Sequence, residues 1–190
     1  MLSVLAGTNR PLTGREVARL AGRASHSGAL EALNRLTEHG LVDRQEAGRA
    51  LLYTLNRDHL ATPAVEALAN LRGELIQRLQ QAFADWVPAP VHASVFGSVA
   101  RGDGDTTSDV DLFIVRPAGV SDDDDRWREQ VDTLAIRVKR WSGNRMSVAE
   151  VGGDELPRLG REAPPILAEL ATDAVTLAGP APAALFGASG

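Results

Sequence analysis

The chain has no cysteine in its 190 residues, which excludes disulfides and thiolate metal sites. Its four histidines, His26, His39, His59 and His92, fall at no ligand spacing, so a histidine metal centre is not expected. No apolar run approaches the roughly 18–20 residues that a membrane span needs, so no membrane partner is expected. The N-terminus, MLSVLAGTNR, lacks a basic start, and its apolar core is too short for a secretory signal. A cytoplasmic location is the expectation. Neither a Ser-His-Asp arrangement nor a P-loop is present, and there is no internal repeat.

What is present is an ordinary globular composition, 44% hydrophobic and 24% charged, which argues against wholesale disorder. The net charge of −5 conceals an asymmetry. Residues 1–60 carry eight Arg against six acids, for +2, while residues 61–190 carry twelve Lys or Arg against nineteen acids, for −7. Such a split suggests two modules with different partners. The patterning predicts an α+β chain of four parts: a first module at 1–60, a linker helix at 61–87, an α/β core with a small mixed sheet at 88–178, and a disordered tail at 179–190.

In the first module Leu2–Ala6 is a short helix. Thr13 is an N-cap, with Glu16 three residues on completing a capping box, and a helix over Glu16–Ala21 ends at Gly22. Leu30, Leu33 and Leu36 stripe a second helix, Ser27–His39, stopped by Gly40. Leu41–Glu46 and Ala50–Leu55 flank Ala47-Gly48-Arg49 as a hairpin. Helix, turn, helix and hairpin, with TGREVARLAG, LTEHGLV and RQEAGRALLYTLN, resemble the winged helix-turn-helix of bacterial regulators. That resemblance implies a DNA-reading helix led by Ser25, His26 and Ser27, with Arg44 and Arg49 of the wing on phosphate and help from Arg23 and Arg35. The proposed reading helix is poor in Arg, Lys, Asn and Gln, and a protein-interaction module is the competing reading.

Pro63 starts the linker. Val65, Leu68, Leu71, Leu75, Leu79 and Phe83 then recur at helical spacing, predicting one amphipathic helix of about six turns. Its stripe serves either to pack between modules or as the seam of a homodimer.

The second module alternates strand and helix: strands Val91–Phe96, Val110–Val115 and Arg145–Val151, a helix over Asp122–Trp141, short helices at Gly153–Leu159 and Pro165–Thr172, and a last strand at Val175–Leu177. The acidic run Asp122–Asp125 caps its helix, and Lys139 and Arg140 suit the opposite end of the dipole. Residues 97–112, GSVARGDGDTTSDVDL, carry the chemistry. A Gly-Ser turn between a strand and a helix exposes backbone N–H groups able to hold phosphate oxygens. Gly97 permits close approach and Ser98 adds a hydroxyl. Asp109 and Asp111, two apart at a strand start, place both carboxylates on one face about 7 Å apart along the chain. Two adjacent carboxylates repel, so a cation is their natural partner.

Gly97-Ser98, Arg101-Gly102 and Ser108-Asp109-Val110-Asp111-Leu112 together resemble the signature of polymerase-beta-like nucleotidyltransferases, nearest to the minimal (MNT-type) bacterial members. The resemblance covers about residues 88–178. It implies that Gly97, Ser98, Arg101 and Ser108 meet the nucleotide, with Arg101 either on phosphate or bracing the loop. It also implies that Asp109 and Asp111 hold Mg²⁺ or Mn²⁺. A third carboxylate is expected from a later strand, and Glu150, alternating with Met146 and Val148, is assigned to catalysis and metal there. Many relatives have Asp at that place, so Glu is a departure.

Two functions follow. One is an enzyme transferring a nucleoside monophosphate from a nucleoside triphosphate to a hydroxyl of RNA, protein or a small molecule, in the manner of toxin–antitoxin members. The other is a DNA-binding regulator whose core senses nucleotide or is inactive.

Overall fold

The computed structural model describes residues 1–22, 25–103 and 108–186. The chain divides into two compact units, Met1–Leu71 and Arg72–Gly190.

The first unit begins with α1 (Leu2–Ala6), β1 (Leu12–Thr13), α2 (Gly14–Ala21) and α3 (His26–Glu38), and continues with β2 (Val42–Ala47), β3 (Ala50–Leu55) and α4 (Thr62–Ala69). The capping box forms: the Glu16 N–H donates to Thr13 Oγ1 and the Thr13 N–H donates to Glu16 Oε2 at 2.8 Å. Those bonds to the ionised carboxylate hold Glu16 down from its usual 4.5 to about 2. The strands pair antiparallel in the order β1-β3-β2, and Ala47 faces Ala50 across the two-residue turn at Gly48-Arg49. Leu5, Leu12, Val17, Leu33, Val42, Tyr53 and Leu55 bury together beneath this sheet, with Val65 of α4 packed on them.

The second unit contains α5 (Leu71–Ala84), β4 (His92–Phe96), α6 (Gly97–Arg101), β5 (Val110–Arg116), α7 (Asp125–Ser142), β6 (Met146–Gly152), α8 (Leu156–Glu162), α9 (Pro165–Asp173), β7 (Val175–Ala178) and α10 (Pro182–Phe186). Its sheet has the order β6-β5-β4-β7 and is mixed: β4 runs antiparallel to β5 and β7, while β5 and β6 are parallel. The parallel pair needs a long crossover, and α7 supplies it. Asp124 caps α7, accepting from the Trp127 N–H at 2.9 Å.

Residues alternate between two buried faces. Val110, Leu112 and Ile114 of β5 pack with Leu79, Phe83, Trp86, Trp127, Leu134 and Val138. Phe113 and Val115 point the other way, onto Leu170 of α9, with Phe96, Ala149, Val151, Leu167 and Phe186 around them.

Three expectations change. Residues 61–87 are two helices, interrupted at Asn70, whose N–H closes onto the Glu66 and Ala67 carbonyls. The helix stripe of Leu75, Leu79 and Phe83 is not a free seam, because it forms one wall of the second unit's core. The tail expected to be disordered from 179 instead includes α10, which seats Leu185 and Phe186 beside Phe113. Its last four residues lie outside the described ones.

Candidate functional site

β4 delivers the chain into the Gly97-Ser98 turn, and its antiparallel register sets Phe96 opposite Asp111 of β5. Gly97 has φ +68, and a Cβ there would sit 2.8 Å from Asp111 Oδ2. The left-handed backbone favours glycine, and a Cβ would in addition have to displace the Asp111 carboxylate. The expected approach was to a bound phosphate; within the chain, the close neighbour of Gly97 is the carboxylate of Asp111.

α6 is held at its far end by two devices. Gly102, with φ +81, turns the chain, and its N–H donates to Ser98 O at 3.0 Å. Arg72, from the start of α5, donates through Nε to Val99 O at 2.7 Å and through Nη2 to Ala100 O. Arg72 carried no signal in the sequence, because its partners lie 27 and 28 residues away. Arg101 donates to Asp173 Oδ2 at 3.0 Å and to Asp103 Oδ2 at 3.3 Å, and both carboxylates raise its pKa. Of its two readings, the geometry matches the brace. Ser108 is half-buried, and its carbonyl accepts from Asn144 Nδ2. Residues 104–107 of the motif lie outside the described ones.

Asp109 is exposed just before β5, and Asp111 is half-buried two residues on. Strand alternation places Asp111 on the face of Phe113, and Asp109 immediately precedes the strand. Burial, then the charges of Asp109 and Glu169, raise the pKa of Asp111. Such a set of like charges suits a hard divalent cation bound through carboxylate oxygens. Among the described residues, no group of three or more acids or histidines is already gathered as a metal cage.

Glu150 is not part of this group. The parallel register pairs it with Ile114, and pairs Asp111 with Ser147. Glu150 shares the face of Met146 and Val148, which pack on the α5–α7 side. Asp111 belongs to the opposite face, and Ile114 lies about 10 Å further along the strand. The Glu150 carboxylate accepts from Arg116 Nη1 and, at 2.8 Å, from Trp127 Nε1. The expectation of a catalytic, metal-binding Glu150 is therefore corrected: this side chain ties β5, β6 and α7 together. Its alternation with Met146 and Val148 was read properly, but a single strand does not disclose which face is which.

In the first unit Ser25, His26, Ser27, Arg44 and Arg49 are all exposed. Ser25 caps α3, its Oγ accepting from the Gly28 N–H at 3.1 Å and lying 3.2 Å from Ser27 Oγ. Arg35 lies 4.0 Å from Glu31 on the same helix, and Arg23 falls outside the described residues.

No helix of the described residues is long and apolar enough to cross a membrane. No curated protein matches the chain. Among solved structures, a candidate nucleotidyltransferase from Sulfolobus solfataricus is 22% identical, covering 56% of this chain and 76% of its own at a TM-score of 0.27. That superposition is too loose to carry a structural conclusion. The family model of the nucleotidyltransferase domain matches residues 74–142, a span that holds α5, the Gly97-Ser98 turn, Asp109, Asp111 and α7. Over residues 74–142, less than half of the chain, the sequence is therefore similar to a nucleotidyltransferase domain.

Proposed function

We propose that the second unit transfers a nucleoside monophosphate from a nucleoside triphosphate to an acceptor hydroxyl on RNA, protein or a small molecule. The acceptor oxygen bonds to the α-phosphorus, the bond to the β-phosphate breaks, and pyrophosphate leaves with the acceptor's proton lost to base. The observation that carries this reading is the apposition of Gly97 to Asp111, which brings a phosphate-holding turn against a carboxylate strand. Gly97 and Ser98 hold the triphosphate, Ser108 lines the approach, and Arg101 keeps the loop in place through Asp103 and Asp173. Asp109 and Asp111 hold Mg²⁺ or Mn²⁺, which supplies charge neutralisation for the phosphates. The test is transfer of an α-labelled nucleotide by the full chain. Retention of transfer in Asp109→Asn would count against the proposal.

A second reading is favoured by one observation. Ser147, not a carboxylate, stands beside Asp111 on the neighbouring strand. In this reading the core senses nucleotide, and the first unit, taken as a winged helix-turn-helix, binds DNA, as a homodimer on a two-fold site. The order α2, α3 and a two-stranded wing supports it, with Arg44 and Arg49 exposed on or beside the wing. DNA binding that responds to a nucleoside triphosphate, with no transfer product, is its expected signature. Absence of DNA binding at moderate salt removes it.

A further inference from the structure

β6 lies at the edge of the second unit's sheet and pairs on one side alone, with β5. Parallel pairing of that kind uses alternate residues. At the two ends of the pair, the Val110 N–H donates to Arg145 O at 2.8 Å and the Gly153 N–H donates to Arg116 O at 2.9 Å. The odd-numbered residues of β6 therefore bond to β5, and the N–H and C=O groups of Met146, Val148 and Glu150 point away from it. Gly152, next in that outward row, is closed by Glu155, which accepts from its N–H at 2.7 Å and donates to its carbonyl at 3.0 Å. Among the described residues no strand meets the three before it.

The other edge strands are short or blunted. β1 has two residues and β7 four, and Gln80 Nε2 already donates to Thr176 O of β7 at 3.3 Å. β2 carries Asp43, Arg44 and Glu46, exposed charges of the kind that keep an edge from pairing. Glu150 does not blunt β6 in this way, because its carboxylate is tied inward to Arg116 and Trp127. Beside the open edge, α7 and β6 border a groove of about 590 Å³. Asp125, Glu129 and Asp132 line it, none of them in an ion pair among the described residues, and Arg128 is the single base among the described lining residues. Ile136, 64% exposed, adds an apolar contact on the same wall.

We propose that the open edge of β6 receives an extended basic segment of a partner protein, which adds a strand to this four-stranded sheet. Backbone bonds to Met146, Val148 and Glu150 supply the pairing, and alternate side chains of the added strand enter the groove toward Asp125, Glu129 and Asp132 or onto Ile136. The charge of the groove selects among occupants. Nucleic-acid phosphates are repelled by it. A second copy paired edge to edge about a two-fold axis would set the acidic wall of α7 beside its own image, an arrangement of like charges that opposes pairing. A strand bearing lysine or arginine answers those charges instead. Occupancy of this edge does not depend on the nucleotide reading of the Gly97 turn.

The experiment follows binding of a fluorescent synthetic heptapeptide, alternating lysine with valine, to the full chain by anisotropy. It is compared with the same peptide N-methylated throughout, which keeps the charge and removes every backbone donor, and with a version bearing glutamate for lysine. The lysine peptide is expected to bind and to slow amide exchange at Val148 and Glu150, and the other two to bind at least about tenfold more weakly. Val148→Pro removes an outward donor without touching the β5 ladder and is expected to weaken binding about tenfold. Glu129→Gln with Asp132→Asn is expected to weaken it about fivefold. Both of those acids are exposed, so the double variant is expected to melt with the parent and keeps the test open should Val148→Pro fail to fold. Equal binding of the N-methylated peptide reduces the attraction to charge and overturns the proposal, as does absence of binding by the lysine peptide. Protection of Val148 and Glu150 in the free chain that is lost on dilution assigns the edge to a second copy and overturns it as well.

Discussion

Asp111 and Glu150 are half-buried carboxylates on adjacent parallel strands, yet their surroundings are opposite in sign. Glu150 accepts from a guanidinium and an indole N–H, so its charge is answered within the fold. Asp111 is exposed to the charges of Asp109 and Glu169, with Gly97 leaving room for its carboxylate. The same sheet face holds His92, fully buried, its Nδ1–H donating to Pro180 O at 2.7 Å and its Nε2 accepting from Ser94 at 3.0 Å. Burial lowers the pKa of His92 as it raises that of Asp111, so both are driven toward neutrality. A charge already paired inside the fold serves stability. One left without an opposite charge nearby is poised for a ligand.

The largest expected effect tests the Asp111 side. Asp111→Asn should reduce labelled-nucleotide transfer by about three orders of magnitude, roughly 4 kcal/mol. Without metal at neutral pH it should melt above the parent. The sign follows from the raised pKa: ionised Asp111 opposes folding at neutral pH, and that opposition fades as the carboxyl protonates in acid. A lower melting temperature would break the comparison.

Glu150→Gln should do the reverse. Arg116, whose side chain is 12% exposed, would lose its counter-charge, and urea unfolding should show a loss of about 2–3 kcal/mol with Mn²⁺ affinity intact. Loss of Mn²⁺ affinity at matched stability would return Glu150 to the metal site.

Gly97→Ala sharpens the contact between turn and strand. The φ of +68 and the 2.8 Å approach should together cost about 1–2 kcal/mol, measured by thermal melting, and weaken nucleotide binding by equilibrium titration.

The smallest effect concerns His92. Its folded pKa lies below the usual 6.5, so its contribution is complete above that value and is lost as pH falls through the folded pKa. Stability measured from pH 7 downward should show this slope, and His92→Asn should flatten it.

Sequence alone determined the local elements, because their signals are local. The capping box at Thr13 and Glu16, the Gly48 turn and the alternation of β5 each require only residues a few positions apart. It also showed two carboxylates two positions apart at the start of β5, whereas the need for glycine at 97 came from its backbone φ of +68. Tertiary structure decided what lies across from them. Register put Ser147, not Glu150, beside Asp111, and helix packing brought Asp173 of α9 to Arg101, 72 residues earlier. It also claimed the stripe of α5 for the core, which no periodicity announces, because a stripe records that it is covered and not by what. Strand pairing and helix docking join distant residues through packing and hydrogen bonds, and a pattern of near neighbours does not encode them.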